Sequence, residues 1–106
     1  MKIYIYTDGA ASGNPGPGGY GIVMVAGKHR KELAKGYRLT TNNRMELLAV
    51  IVALEQVKTE GSDVLVTSDS KYVVDSVEKG WVFNWVKKGF KGKKNSDLWK
   101  RFLKIY

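Results

Sequence analysis

The sequence has 106 residues, enough for one compact domain with a buried core and too few for two. It contains no cysteine, which excludes disulfides, thiolate-zinc sites and thiol nucleophiles, and no apolar run approaches the length of a membrane span. Eighteen Lys and Arg against ten Asp and Glu leave a formal charge of +8, which favours a polyanionic partner.

Met1-Lys2-Ile3-Tyr4 leads directly into a strand pattern with no signal-peptide layout, so a cytoplasmic protein without membrane contact is the expectation. Residues 2 to 7 alternate, with Ile3, Ile5 and Thr7 on one face and Tyr4, Tyr6 and Asp8 on the other, and this predicts a strand ending at Asp8-Gly9. A Gly/Pro-rich loop is expected from Gly9 to Gly19, then a strand over Tyr20 to Ala26, a turn at Gly27 to Lys31 and a weaker strand over Glu32 to Leu39. These three strands read as an antiparallel meander. From Asn43 to Lys58 the periodicity predicts a helix, with Asn43 as N-cap and Gly61 as stop. Asp63 to Thr67 reads as a short buried strand, and Ser68-Asp69-Ser70 opens a helix that ends at Gly80. A further helical stretch covers Trp81 to Lys88. After the run Gly89 to Lys94, Asn95 or Ser96 is expected to cap a last helix, whose stripe Leu98, Phe102 and Ile105 reaches the final residue without a stop signal. That layout predicts a single domain over 1–106 that is incomplete at its C-terminus.

Charge is concentrated late in the chain. Between Lys79 and Arg101 lie eight cations and one acid, Asp97, with Trp81, Phe83, Trp85, Phe90 and Trp99 interleaved, the composition of a nucleic-acid groove. The run Gly16-Pro17-Gly18-Gly19-Tyr20-Gly21 matches the dinucleotide spacing literally but lacks its context, because a strand follows it and no acid stands some twenty residues on.

Three carboxylates carry more. Asp8 closes the first strand, Glu46 stands in the first turn of a helix otherwise apolar for ten residues, and Asp69 follows the later strand. Each has an ordinary explanation: a turn at Asp8-Gly9, an Asn43-x-x-Glu46 capping box, and Asp69 as an N-cap. Taken together they point elsewhere, since the two strands can lie parallel and adjacent, placing both aspartates at neighbouring C-terminal ends where open α/β sheets hold ligands. A buried glutamate requires a cation or donors. An all-oxygen set with a single histidine, in a turn, suits Mg²⁺ or Mn²⁺, and two such ions suit phosphodiester displacement. The residues alone therefore reach a metal-dependent nuclease or phosphatase.

Tyr6-Thr7-Asp8-Gly9-Ala10 with Gly13-Asn14-Pro15-Gly16, Thr41-Asn42-Asn43-Arg44-Met45-Glu46-Leu47, and Ser68-Asp69-Ser70-Lys71-Tyr72-Val73 closely resemble the motifs of bacterial type 1 ribonuclease H. The lysine-rich segment after Gly80-Trp81 and Asn95-Ser96-Asp97-Leu98-Trp99 resemble that family's basic handle and following helix. The resemblance implies an α/β ribonuclease H-like mixed sheet, the three-strand meander plus one parallel strand with packed helices, lacking the family's last strand and helix. It implies Asp8, Glu46 and Asp69 as ligands of two Mg²⁺ ions in endonucleolytic hydrolysis of the RNA strand of RNA/DNA hybrids, leaving 5′-phosphate and 3′-hydroxyl ends. It further implies Asn14, Asn42 and Asn43 at the minor groove, Thr41 and Asn95 at a DNA-strand phosphate, and Trp81, Lys87, Lys88 and Lys91 along the DNA strand. The family's histidine-bearing loop and fourth catalytic aspartate have no counterpart here, so a hybrid-binding module needing a complementing chain is the alternative. The Asp63 to Thr67 strand then becomes an open edge for pairing with a second chain or fragment.

Overall fold

The computed structural model describes residues 2–57, 63–89 and 94–105. Phe90 and Lys91, the expected stop at Gly61 and the final residue Tyr106 lie outside them. The elements are β1 (Lys2–Ala11), β2 (Gly16–Ala26), β3 (His29–Thr40), α1 (Asn42–Glu55), β4 (Asp63–Ser68), α2 (Lys71–Glu78), α3 (Trp81–Lys87) and α4 (Ser96–Ile105). The four strands form one sheet in the order β3-β2-β1-β4, antiparallel except for the parallel β1–β4 pair. The mixed sheet read from the sequence, a meander plus one parallel strand, is the sheet observed.

The alternation in β1 does what the pleat requires. Ile3, Ile5 and Thr7 point inward with Ile22 and Met24 of β2, and Ala49 and Ala53 of α1 close over them. The two alanines let the helix axis lie close to the sheet. On its other flanks α1 presents Met45, Leu47, Leu48, Val50 and Ile51 to a second cluster with Val73, Val82, Leu98, Trp99 and Phe102. Helix α1 is thus apolar all round because it is the centre of the molecule, shared between two clusters.

Several expectations need correction. β1 does not end at Asp8-Gly9 but continues to Ala11, and the expected loop over Gly9 to Gly19 contracts to residues 12–15. Gly9, Gly16, Gly18 and Gly19 are strand residues: Ala10 pairs with Gly19 and Ala11 with Gly18. A Cβ at Gly18 would lie 2.4 Å from the Ala10 carbonyl oxygen, so glycine there serves strand contact rather than a turn. Thr41, not Asn43, caps α1, its Oγ1 accepting the Arg44 N–H at 3.2 Å. Ser70, not Asp69, caps α2, accepting from the Val73 N–H at 3.3 Å. β4 is not fully buried: Leu65 is exposed, and the strand has no partner on its outer side among the described residues. Trp99 does not belong with the surface aromatics. It is wholly buried and packs edge-on against Tyr72, Trp85 and Phe102.

Two ion pairs tie α4 to α1. Arg44 grips Asp97 with two hydrogen bonds of 3.0 and 2.8 Å, and Arg101 holds Glu55 through a 2.7 Å bond from Nε. The donated hydrogen bonds hold the Asp97 and Glu55 carboxyls below the usual carboxylate range. Carboxyls with lowered folded-state pKa values contribute stability above their unfolded pKa and lose it as pH falls through the folded one. Both pairs are partly exposed, so each contributes on the order of half a kcal/mol. Acid titration of Tm should therefore show a shallower loss between about pH 5 and 3 in an Asp97→Asn, Glu55→Gln double variant than in the wild type. An unchanged slope would contradict this assignment.

Candidate active site

The site is built where β1, β4 and α1 meet. In the parallel pair Thr7 stands beside Ser68, the last pair of that ladder, so Asp8 and Asp69 follow side by side just beyond it. Asp8 lies within the sheet, opposite Gly21 of β2. Glu46 projects from the N-terminal part of α1 and is buried, with only 7% of its surface exposed.

A missing side chain makes this meeting possible. A Cβ on Gly9 would fall 2.6 Å from the Met45 carbonyl carbon and 2.7 Å from the Glu46 nitrogen, both backbone atoms that cannot swing aside. The same closeness lets the Gly9 N–H donate to the Glu46 carboxylate. Burial pushes the Glu46 carboxyl above the usual range; the Gly9 donor holds it back in part, and the Asp8 and Asp69 carboxylates push it further up. Glu46 Oε2 is buried without a hydrogen-bond partner.

The ordinary explanations for all three acids fall away. Asp8-Gly9 is strand rather than turn, Thr41 replaces the Asn43 capping box, and Ser70 occupies the cap offered to Asp69. What remains is a buried carboxylate with an unsatisfied oxygen and two aspartates close enough to raise its pKa. Among the described residues no three His, Cys, Asp or Glu side chains form a ready-made ion cluster. The donor set nevertheless fits a hard divalent cation: it is all oxygen, and a cation would satisfy Oε2 and relieve the like-charge repulsion.

The other sequence-selected residues fall into separate groups. Asn42 Oδ1 accepts the Ala11 N–H at 3.1 Å, fastening α1 to the end of β1, and the residue is exposed. Asn43 and Asn14 are exposed, the latter in the 12–15 loop. Thr41 and Asn95 are joined through Arg44, whose Nη1 donates to Asn95 Oδ1 at 3.2 Å. Trp81 is 44% exposed, with Lys79 Nζ 5.3 Å from its ring centre, so it is a surface aromatic and not a core one. It shares α3 with Lys87, and Lys88 follows; Lys91 lies outside the described residues. Sequence reasoning passed over Gly9, Arg44 and Asp97. A glycine inside a β-branched strand was the available signal for the first; nothing local announces an ion pair between residues so distant in the chain.

A mixed sheet of three antiparallel strands and one parallel strand, packed with helices, defines an α/β protein, and its acids gather where the parallel pairing ends. A family model described as RNase H matches residues 1–106. The ribonuclease H of Desulforamulus reducens is 56% identical over 109 residues, covering 98% of this chain and 68% of that protein. LC9-RNase H1, a type 1 RNase H with the type 2 active-site motif, superposes with a TM-score of 0.80 at 29% identity, over 98% of this chain and 57% of that one. LC11-RNase H1 in complex with RNA/DNA hybrid matches with a TM-score of 0.63 at 31% identity, over 97% and 72% of the two chains. The chain belongs to the ribonuclease H family of enzymes, and the resemblance read from its three acidic motifs is borne out. It spans about two thirds of the curated relatives it matches, 68%, 62% and 69% of the first three.

Two outcomes follow from this geometry. Gly9→Ala should force α1 off β1 and cost about 1 to 3 kcal/mol, the range for overpacking a closed contact, read as a lower urea midpoint at unchanged slope; a neutral result would contradict the close approach. Glu46→Gln should raise Tm in EDTA at neutral pH by a few degrees, on the order of 1 kcal/mol, because it removes a buried charge and its repulsion. A lower Tm would mean that the carboxylate is well satisfied as it stands.

Proposed function

We propose that this chain hydrolyses the RNA strand of RNA/DNA hybrids endonucleolytically, leaving 5′-phosphate and 3′-hydroxyl ends, with Asp8, Glu46 and Asp69 holding two Mg²⁺ ions, or Mn²⁺ in their place. The observation that carries the reading is the buried, unpartnered Glu46 Oε2 flanked by two aspartates. Bound divalent ions supply charge neutralisation at the phosphoryl oxygens and a water acidified for attack. The protein's part is to hold three carboxylates in place, one within β1, one just after β4 and one on α1, so that little reorganisation accompanies the reaction.

Substrate choice falls to the surrounding side chains. Asn14, Asn42 and Asn43 offer amide donors and acceptors to the minor groove, where 2′-hydroxyls mark the RNA strand. Thr41 and Asn95 take a phosphate of the DNA strand, and Trp81, Lys87, Lys88 and Lys91 line its further path. The net charge of +8 supports a polyanionic substrate. The same reading places one ribonuclease H-like domain over 1–106 in the cytoplasm. No helix among the described residues is long and apolar enough to cross a membrane.

One observation favours a second reading. β4 lies at a sheet edge among the described residues, with Leu65 exposed. In that reading the chain binds hybrid but cuts only when a complementing strand or fragment pairs with β4.

An end-labelled RNA/DNA hybrid, with duplex DNA and single-stranded RNA beside it, separates the two. Mg²⁺-dependent cutting of the hybrid's RNA strand alone is expected, reduced at least about a hundredfold in Asp8→Asn and Asp69→Asn, since even outer-shell changes at metal sites reach that size. Salt-sensitive hybrid binding without cutting would select the second reading, and failure to bind hybrid would contradict both.

A further inference from the structure

The hydrogen bonds around Arg44 join parts of the chain that the proposed reaction uses separately. Its backbone N–H donates to Thr41 Oγ1 at 3.2 Å, and its guanidinium Nη1 donates to Asn95 Oδ1 at 3.2 Å. The same guanidinium makes two bonds to the two Asp97 oxygens, at 3.0 and 2.8 Å. A two-point carboxylate clamp fixes the plane of the guanidinium as well as its position. Asn95 is held from its other side too: its Nδ2 donates to Tyr72 Oη at 3.3 Å, and that oxygen also accepts Trp99 Nε1–H at 2.8 Å from the buried core. The Asn95 backbone sits in the left-handed region, φ 63°, which asparagine tolerates better than most residues.

These bonds define what is left over. Thr41 Oγ1 is used as an acceptor, so its hydroxyl proton is available to donate. Asn95 has committed its amide oxygen and one amide N–H, so its second N–H is available. Arg44 faces a carboxylate on its own protein, so its charge is largely neutralised. It contributes geometry, linking the start of α1 to the start of α4.

We propose that Arg44, clamped by Asp97, is a positioning residue that sets Thr41 and Asn95 at a fixed separation, so that the pair grips one particular phosphate of the DNA strand. The inference rests on the reading of Thr41 and Asn95 as a phosphate site. Its consequence is register: a pair of neutral donors at fixed spacing selects which phosphate is held, and with it which RNA bond lies over the acids, while the lysines supply affinity without register.

The test uses hybrids whose DNA strand carries a single neutral methylphosphonate, moved one position at a time, with affinity measured by anisotropy in EDTA. Wild-type protein should show one position where the modification weakens binding about tenfold, the size of one charge-assisted hydrogen bond. Arg44→Ala and Asp97→Ala should flatten that peak, Arg44→Lys should flatten it as well because lysine cannot fork, and Asp97→Glu should restore part of it. The readout is a ratio of affinities for one variant, so a partly unfolded sample leaves it unchanged, and a merely structural role would lower Tm without moving it. If Arg44→Ala and Asp97→Ala keep the peak while Thr41→Ala and Asn95→Ala lose it, the positioning role is overturned and the phosphate site stands. If wild type shows no peak, or Thr41→Ala and Asn95→Ala keep it, the phosphate site falls and the inference with it. Tighter binding with an intact peak in Asp97→Ala would make Asp97 a competitor for Arg44 rather than its clamp, and would also overturn the proposal.

Discussion

Gly9 has no side chain, and for that reason the first turn of α1 can rest on β1 with backbone against backbone. From this contact the rest of the arrangement follows. Ala49 and Ala53 continue the close approach along the helix, so that α1 seals the inner face of the sheet over Ile5 and Ile22. The same approach carries Glu46 out of water and into range of Asp8 and Asp69. A buried carboxylate beside two others is costly in an isolated protein. Sites of chemistry are where such costs concentrate, because a poised, unsatisfied group is what a cation or substrate can reward.

The apolar interior holds this acidic corner from behind. α2, α3 and α4 converge on Trp99, and Tyr72 joins that buried ring to Asn95 at the surface. Core packing and the surface donors at Thr41 and Asn95 are therefore one continuous network, with Arg44 as its bridge. Flexible lysines such as Lys87 and Lys88 stand outside it, consistent with a division between residues that attract a polyanion and residues that orient it.

Much of this was legible in the sequence because short-range physics governs it. The period-two alternation of Ile3, Ile5 and Thr7 set the inward face of β1, and the mixed sheet followed from where the strands and helices fell. The three acids were legible as a group through their positions at strand ends and a helix start. The errors had a common origin in local rules. Glycines between Gly9 and Gly19 looked like a loop, since turn statistics cannot see that a neighbouring strand or helix backbone needs the space. Asn43 and Asp69 looked like caps, and in each case a hydroxyl residue one or two positions away, Thr41 or Ser70, took the role. Trp99 looked like a partner of the cations flanking it, whereas helical periodicity turns it to the core beside Leu98 and Phe102. The Arg44–Asp97 pair was invisible because it exists only once α4 packs on α1.

The central claim is that Glu46 and the two aspartates form one site whose buried oxygen is suited to a divalent cation. Calorimetric titration of the protein with Mn²⁺ addresses this without relying on turnover. The account predicts saturable binding, abolished in Asp8→Asn and weakened in Glu46→Gln. Absence of saturable binding, or binding that survives both substitutions unchanged, would contradict it.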